Sequence, residues 1–397
     1  MLDLKEKIKK LLTRNVKDIV LKEHLEKRLL SGEKLRIKHG IDPTGKKIHI
    51  GRAVVLWKLR EFQELGHKIV LIIGDFTAQI GDPSDKLAKR PFLTEKEVKE
   101  NMKNYLPQIG KILDLKKCEV HYNSKWLKKL NFKQVCELAD IFTVQQMLER
   151  RNFSERFKNH QDISLREFLY PIMQGYDSVA VSADVELGGE DQLFNLHAGR
   201  KIQEFFGQEP QDILTTKMLF GLDGRKMSTS WGNVINITDP PDEQFGKVMS
   251  MHDEMIPEYL ELTTDLDETT IQDLIFKLKT NKINPKDVKK IIGFEIVKRY
   301  WGEEEAKKAK EKFEKLFERK EIVQDLPQIQ LKDKKINIID LILLTSAVKS
   351  KSEAKRLVEQ GGFKINNKQI KDIKKELVLE GGEIIKIGKH RFFKIVL

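Results

Sequence analysis

One segment near the N-terminus combines residue types that suit a phosphate group. Residues 42–52 read DPTGKKIHIGR. If a helix begins at about residue 50, its N-terminus would offer unpaired N–H groups and a positive dipole end to an anion. His49 could donate a hydrogen bond to a phosphate, and Gly51 would let a phosphate or an adenine ring approach the backbone. The pattern alone is weak, because a histidine in a loop is more often structural.

A second segment of similar chemistry is residues 226–230, KMSTS, just after a turn at 222–225. A flexible loop with a lysine and several hydroxyl groups suits a cation that closes over a triphosphate. Taken alone, the segment is equally typical of any exposed loop.

A third set of residues could line a pocket for a small polar molecule. Tyr170, Gln174 and Asp177 are spaced i, i+4 and i+7, so a helix would carry them on one stripe. The residues beside the stripe are apolar, which favours a pocket lining over a solvent-exposed face. Residues 188–192, GGEDQ, predict a glycine turn that opens another helix.

Residues 74–84, GDFTAQIGDPS, follow a predicted strand at the end where open α/β sheets bind ligands. Asp82 in this segment could receive an ammonium group, and Lys86 and Arg90 just beyond it could bind a polyphosphate. The segment is as typical of a Gly/Pro turn with a capping aspartate.

The elements that must position these residues form a βαβ unit. Residues 35–37 predict a short strand, 40–45 a loop, 50–65 a helix, and the continuous apolar run 68–74 a strand buried on both faces. A strand, a helix and a strand within about 40 residues predict a doubly wound parallel sheet. Elsewhere the pattern predicts an amphipathic helix over 1–33, mostly helices over 95–165 and 242–319, a break at 240–241 and a linker over 327–333.

Composition excludes several classes of protein. The 397 residues, 40% hydrophobic and 34% charged, are typical of a globular chain of two or three domains. Cys118 and Cys136 are too few for a disulfide framework or a cysteine-rich zinc site. With no signal-like N-terminus and no apolar run of about 18 residues, we expect a cytoplasmic protein without a membrane span.

The net charge of +12 is concentrated at one end of the chain. Residues 332–397 contain 16 lysines and arginines against 8 acidic residues, whereas the other 331 residues carry a net charge of only +4. A compact basic module of this size is a candidate for RNA binding, although charge alone also fits a solvated surface. We therefore expect a catalytic domain over 1–235, a helical domain over 236–330 and a basic domain over 333–397.

Together, in order and spacing, these segments resemble the class I aminoacyl-tRNA synthetases, and within them the bacterial tyrosyl-tRNA synthetases. Residues 49–52 look like the family's H-I-G-H signature and 226–230 like its K-M-S-K-S loop. The stripe and residues 188–192 look like its amino-acid pocket, and the basic tail is similar to a module shared with a small-subunit ribosomal protein. The resemblance covers nearly the whole chain.

This resemblance implies an α/β fold with a Rossmann-like parallel sheet, then an all-α, anticodon-contacting domain and a small α+β RNA-binding domain. The implied reaction joins L-tyrosine to ATP, giving tyrosyl-adenylate and pyrophosphate, and then transfers the tyrosyl group to tRNA(Tyr). Mg²⁺ would sit on the triphosphate without protein ligands of its own. The family also implies a homodimer formed through helices near 125–160.

Residue roles follow by the same resemblance. Asp82, Tyr170 and Gln174 would hold the substrate ammonium, Asp177 would accept the hydrogen bond of the phenol, and Gln192 would line the pocket. The implied ATP-binding residues are Asp42, Thr44, His49, Gly51, Arg52, Lys86, Arg90, Gly189, Asp191, Lys226, Met227, Ser228 and Thr229. Those expected to act in catalysis are Thr44, His49, Arg52, Lys226 and Thr229. Those expected to bind RNA are Lys351, Lys355, Arg356, Lys364, Lys389 and Arg391.

Three positions depart from the family pattern. Arg52 replaces the last histidine of the first signature and keeps a charged donor, so we expect its function to be retained. Thr229 replaces the second lysine of the loop. One cation for the transition state is therefore lost, and Lys226 must contribute more of the charge stabilisation. Lys38 stands where one branch of the family has an aromatic residue, so the chain matches the other branch and the phenol would rely on Asp177 and water.

Three alternatives remain open at this stage. A tryptophanyl-tRNA synthetase, from a closely related family, is the first alternative, but the polar stripe and the basic tail argue against it. An RNA-binding regulator that no longer forms an adenylate would account for the altered positions Arg52 and Thr229. A small-molecule nucleotidyltransferase could share the first signature but needs neither the second loop nor the tail.

Overall fold

A computed structural model describes residues 3–84, 92–228, 231–317, 326–331, 333–348, 350–366, 368–373, 376–388 and 391–397. The first elements, in chain order, are α1 (Leu4–Thr13), β1 (Val16–Val20), α2 (Lys22–Leu30), β2 (Arg36–Ile41), α3 (Ile50–Glu64), β3 (Lys68–Ile73), α4 (Thr77–Ile80), α5 (Glu95–Met102), α6 (Tyr105–Ile109), β4 (Glu119–Tyr122), α7 (Ser124–Leu127), α8 (Phe132–Asp140), α9 (Val144–Leu148), α10 (Arg151–Lys158), α11 (Leu165–Val181), β5 (Val185–Gly189), α12 (Leu193–Phe205) and β6 (Asp212–Thr216).

These strands form one six-stranded sheet in the order β1-β6-β5-β2-β3-β4. Five strands are parallel, and β1 runs antiparallel to β6 at one edge. In β3, Ile69, Leu71 and Ile73 pack into the largest core cluster with α3, while Val70 and Ile72 pack on the opposite side with Val181 at the end of α11. Both faces of the strand are covered, which is why its sequence is continuously apolar. The predicted βαβ unit and doubly wound sheet are confirmed.

Two local predictions were wrong in their details, and a third was right but missed one strand. Residues 1–33 do not form one helix, because β1 interrupts them; Asn15 and Leu21, which flank it, have φ of 58° and 60° and break the helical path. Residues 95–165 are mostly helical but include β4, which pairs in parallel with β3. The first predicted strand extends to Ile41, so the loop begins only at Asp42.

The middle of the chain is helical, as predicted. Its elements are α13 (Pro241–Met249), α14 (Ile256–Thr263), α15 (Glu268–Lys279), α16 (Pro285–Trp301) and α17 (Glu303–Phe317). Pro241 occupies the first turn of α13, where its missing N–H breaks no hydrogen bond. The apolar side chains of α14 and α16 belong to the same core cluster as the sheet. The hydrophobic core therefore continues across residue 235, where the sequence predicted the end of the catalytic domain. Among the described residues, no helix is long and apolar enough to span a membrane.

The C-terminal elements have a hydrophobic core of their own. They are β7 (Gln328–Gln330), β8 (Lys335–Asn337), α18 (Ile338–Leu344), α19 (Lys351–Glu359), β9 (Phe363–Ile365), β10 (Lys368–Gln369), β11 (Glu376–Val378), β12 (Ile384–Ile387) and β13 (Arg391–Val396). The strands form a five-stranded sheet, β10-β9-β12-β13-β7, and a pair, β11-β8. The predicted linker at 327–333 was wrong, because β7 pairs in parallel with β13. The division into three functional domains stays a prediction.

The helices α11 and α12 pack closely on one side of the sheet. A Cβ added to Gly175 would lie 2.7 Å from Ile202 Cδ1 and 3.0 Å from the carbonyl carbon of Ala198. The glycine therefore allows the two helix backbones to approach, and this contact holds the polar stripe of α11 in place.

We expect Gly175→Ala to destabilise the protein by about 1–3 kcal/mol, because the extra methyl group overfills a packed contact that includes backbone. The matched control is Gly45→Ala, since an added Cβ there meets nothing within 4 Å. Chemical denaturation of both variants measures the difference. Equal free energies of unfolding for the two variants would contradict the packing argument.

Candidate active site

A cavity of about 520 Å³ opens at the carboxyl ends of the parallel strands β2, β3 and β5. It brings together residues from segments that are far apart in the sequence. The predicted site residues that line it are Asp42, Thr44, His49, Gly51, Arg52, Asp82, Tyr170, Gln174, Asp177, Gly189, Asp191, Gln192, Lys226, Met227 and Ser228. Lys86, Arg90 and Thr229 lie outside the described residues.

One wall of the cavity is the polar stripe of α11. Asp177 is buried, and its two carboxylate oxygens accept hydrogen bonds from Trp126 Nε1 at 2.6 Å and Asn123 Nδ2 at 3.2 Å. Burial raises the pKa of Asp177 to about 7, although the ammonium of Lys38 and the two donors oppose the rise. A carboxylate has about four acceptor sites, so Asp177 retains capacity for a further donor from a ligand.

Next to Asp177 the wall carries two more polar groups. The Tyr170 hydroxyl donates to Asp42 Oδ2 at 2.9 Å. Burial raises the pKa of Tyr170 well above its ordinary value, so the hydroxyl stays protonated and its oxygen can still accept a hydrogen bond. Asp82 accepts from Gln192 Nε2 at 2.8 Å and from the backbone N–H of Ser84 at 2.9 Å.

The opposite wall begins at the N-terminus of α3, where His49 is the residue before the helix. Its Nδ1 is buried with no hydrogen-bond partner among the described residues. Burial, together with the charges of Arg52 and Lys226, lowers the pKa of His49 to about 3, so the ring is neutral and keeps one N–H donor. A Cβ on Gly51 would lie 2.8 Å from Met227 Sδ, so the glycine lets the two signature segments touch.

The backbone at this helix end is less available than the sequence predicted. The N–H of Ile50 donates to the Ile235 carbonyl at 2.9 Å, and that of Arg52 donates to the His49 carbonyl at 3.0 Å. Anion binding here therefore relies on side chains more than on these two amides.

Two cations complete this wall. Arg52 donates to Thr44 Oγ1 and to the Tyr105 hydroxyl, both at 2.8 Å, so the guanidinium and the threonine are held together. Lys226 lies 3.3 Å from Asp191, which brings the second signature segment next to residues 188–192. The glycine turn predicted there was wrong, because Gly188 and Gly189 are the last residues of β5 and Glu190–Gln192 form a short 3-10 helix before α12. Positive charge thus faces the cavity from two segments that the sequence separates by more than 170 residues.

Sequence reasoning missed the residues that hold the site residues in place. Asn123 and Trp126 bind Asp177, and they follow β4, a strand hidden within a segment predicted as helical. Asn123 comes directly after the end of β4, so recognising the strand would have placed it at the ligand-binding edge of the sheet. Asn195 was also missed; its Nδ2 donates to Gln174 Oε1 at 3.0 Å.

The structure distributes the predicted RNA-binding residues over several elements. Lys351, Lys355 and Arg356 are exposed on α19, whose Ala354 and Val358 face the core. Lys364 is half-buried in β9, across from Lys386 of β12, and Arg391 is exposed at the start of β13. Lys389 lies outside the described residues.

Comparison with known proteins gives matches over nearly the whole chain. The family model "tRNA synthetases class I (W and Y)" matches residues 30–318, and "Tyrosine--tRNA ligase SYY-like C-terminal domain" matches residues 318–395. A tyrosine–tRNA ligase of Thermotoga maritima is 50% identical over 387 residues, covering 97% of this chain and 96% of the relative. One of Aquifex aeolicus is 45% identical over 380 residues, covering 96% of each.

Solved structures agree with these matches. A tyrosyl-tRNA synthetase of Archaeoglobus fulgidus complexed with L-tyrosine superposes with a TM-score of 0.61 at 25% identity, covering 78% of this chain and 100% of the other. A mitochondrial enzyme of Aspergillus nidulans, truncated at its C-terminus, shares the fold, with a TM-score of 0.63 at 20% identity over 80% of this chain and 95% of the other. The chain therefore belongs to the class I tRNA synthetases of the tryptophan and tyrosine group, and within that group to the tyrosine–tRNA ligases.

Proposed function

We propose that the chain uses this cavity to join L-tyrosine to ATP and then to load the tyrosyl group onto tRNA(Tyr). The observation that carries the proposal is the cavity's two unlike walls. One has a buried carboxylate, a buried hydroxyl and a half-buried amide on α11, and the other has a neutral histidine and two cations. The first suits an amino acid with a polar tip, and the second suits a triphosphate.

The amino-acid subsite would bind both ends of tyrosine, the phenol and the ammonium group. Asp177 accepts a hydrogen bond from the phenol, while Asp82, Tyr170 and Gln174 bind the ammonium group. Phenylalanine would leave the buried Asp177 acceptor without that partner, and an unmade hydrogen bond in a buried site is unfavourable. Gln192 holds Asp82 in place through its 2.8 Å hydrogen bond.

The nucleotide subsite would bind MgATP, with the metal on the phosphates. His49, Arg52 and Lys226 face the phosphates, and Arg52 orients Thr44. Gly189, at the end of β5, contacts the sugar and base together with Asp42. The described residues contain no group of three or more His, Cys, Asp or Glu side chains that could hold a metal ion. In our proposal Lys86, Arg90 and Thr229 supply further phosphate contacts.

The chemistry needs positioning and charge stabilisation rather than a protein nucleophile. The tyrosine carboxylate attacks the α-phosphorus of ATP, the bond to the β-phosphate oxygen breaks, and pyrophosphate leaves with its electron pair. A hydroxyl of the terminal tRNA ribose then attacks the carbonyl carbon of the adenylate. The bond from that carbon to the phosphate oxygen breaks, AMP leaves with the electron pair, and the hydroxyl proton passes to solvent. Arg52 and Lys226 stabilise the negative charge that shifts to the leaving phosphates.

The remaining parts of the chain would serve the tRNA. We propose that residues 236–330 contact the anticodon region and that Lys351, Lys355, Arg356, Lys364, Lys389 and Arg391 of the basic C-terminal part bind the RNA backbone. We also propose a cytoplasmic homodimer. Phe132 of α8 and Val144 of α9, 83% and 58% exposed in the single chain, lie in the segment where the dimer contact is expected.

The test of this function is pyrophosphate–ATP exchange with tyrosine, phenylalanine and tryptophan in turn, followed by charging of tRNA(Tyr). We expect exchange with tyrosine alone and tyrosine-dependent charging. Exchange with tryptophan instead would contradict the assignment of the pocket. RNA binding by folded protein without any pyrophosphate exchange would favour the alternative of an RNA-binding regulator that no longer forms an adenylate.

The ionisation of Asp177 predicts how tyrosine affinity depends on pH. Because its pKa is raised to about 7, the carboxylate is the main form only above pH 7. The protonated form accepts a hydrogen bond from the phenol more weakly. The affinity for tyrosine should therefore fall as the pH drops below 7, by up to about tenfold per pH unit. Calorimetric titration with tyrosine from pH 5.5 to 8.5, without ATP, measures this change.

Asp177→Asn serves as the control, because it keeps the shape of the side chain and removes the titration. We expect its tyrosine affinity to be roughly 10- to 100-fold weaker at pH 8 and independent of pH through 7, as expected for loss of a hydrogen bond to a charged group. A pH-independent affinity in the unmodified protein would contradict the role of Asp177.

Arg52→Ala tests the altered signature position. We expect the kcat of pyrophosphate exchange to fall about 100-fold, because the variant loses a positioned cation next to the phosphates. Arg60→Ala on the same helix is the control; Arg60 pairs with Glu64 at the surface, away from the cavity. If both variants retained the unmodified kcat, Arg52 would have no part in the phosphate subsite.

A further inference from the structure

A buried ion pair lies behind the amino-acid wall of the cavity. Lys38 in β2 and Glu186 in β5 approach to 2.8 Å between Nζ and Oε1, and their side chains are 0% and 1% exposed. Neither residue lines the cavity. Burial removes both charges from water, a large penalty that a pair offsets only when its other polar atoms are also hydrogen-bonded.

Every polar atom of this pair has partners. The ammonium of Lys38 donates to Glu186, to Ser178 Oγ at 2.7 Å and to the carbonyl oxygen of Gln174 at 2.9 Å, which uses its three protons. Besides Lys38, Glu186 accepts hydrogen bonds from Gln174 Nε2 and Ser178 Oγ, both at 3.1 Å, and from Gln211 Nε2 at 2.5 Å. The pair therefore holds both the backbone and the side chain of Gln174.

The charge of Glu186 decides which way the Gln174 amide faces. An ionised carboxylate can only accept hydrogen bonds, so the amide must turn its NH₂ group toward Glu186. The amide oxygen then faces Asn195, from which it accepts at 3.0 Å. This oxygen has a second lone pair, and Gln174 lines the cavity, so an acceptor remains for a ligand on that side.

We propose that Lys38 and Glu186 are a positioning pair that fixes the Gln174 amide with its oxygen directed at the ammonium group of the substrate. With the amide reversed, two N–H donors would face that ammonium and repel it. The inference rests on the proposed function, because it takes the ligand to be an amino acid whose ammonium binds near Gln174.

The double variant K38M/E186Q tests this role without leaving an unpaired buried charge. Glutamine at 186 can donate as well as accept, so it no longer selects one orientation of the Gln174 amide. Two ligands are titrated by calorimetry at pH 8.5, well above the pKa of Asp177, because the Lys38 ammonium helps to hold that pKa down. They are L-tyrosine and 3-(4-hydroxyphenyl)propionate, which lacks only the amino group. We expect tyrosine to bind about tenfold more weakly in the variant, and the propionate to bind within twofold of its affinity for the unmodified protein.

Ser178→Ala is the matched control. Ser178 contacts both members of the pair but not the Gln174 amide, so we expect tyrosine affinity to stay within twofold. In exchange assays, K38M/E186Q should raise KM for tyrosine about tenfold and change kcat by less than twofold. If K38M/E186Q fails to fold, K38Q/E186Q serves for the same titrations, because it also buries no charge and its two amides can hydrogen-bond to each other.

The outcomes separate the two claims. Equal weakening of both ligands would mean a general structural role, and unchanged tyrosine affinity would mean no role; either result overturns the inference and leaves the proposed function intact. Failure of the unmodified protein to bind tyrosine and to catalyse exchange would overturn the proposed function, and the inference with it.

Discussion

The site depends on one unusual helix face, the polar stripe that α11 buries against the sheet. Burying Asp177 and the Lys38–Glu186 pair is unfavourable unless each charge is hydrogen-bonded, and the structure provides those partners from β2, β5, Gln211 and the segment after β4. Because the partners come from segments far apart in the chain, the pocket exists only when sheet and helices are assembled. The close contact at Gly175 is part of the same requirement.

The parallel sheet explains why two unlike walls meet. The strand ends at one edge of the sheet bring together, around one cavity, the DPT loop after β2, the residues after β3 and the two glycines that end β5. The nucleotide wall uses a buried, neutral His49 and an Arg52 that is hydrogen-bonded to Thr44. Asp42 connects the walls, because it accepts from Tyr170 on α11 and belongs to the loop that precedes His49.

Regular spacing made part of this predictable from the sequence. The continuous apolar run of β3, the helix after His49 and the helical spacing of the stripe on α11 are each long enough to recognise. The strands β1, β4 and β7 have only three to five residues, too few to show a period, and their pairing is set by partners distant in the sequence. For the same reason no local pattern indicates that Trp126 binds Asp177, or that Lys38 lies next to Glu186.

The most direct test of the two-walled cavity is a crystal structure of the protein with L-tyrosine. We expect the phenol oxygen within hydrogen-bond distance of Asp177, and the ammonium among Asp82, Tyr170 and Gln174, with the Gln174 amide oxygen facing it. The carboxylate should point toward the wall of His49 and Arg52. Tyrosine bound in the opposite direction, or outside this cavity, would contradict the assignment of the two walls.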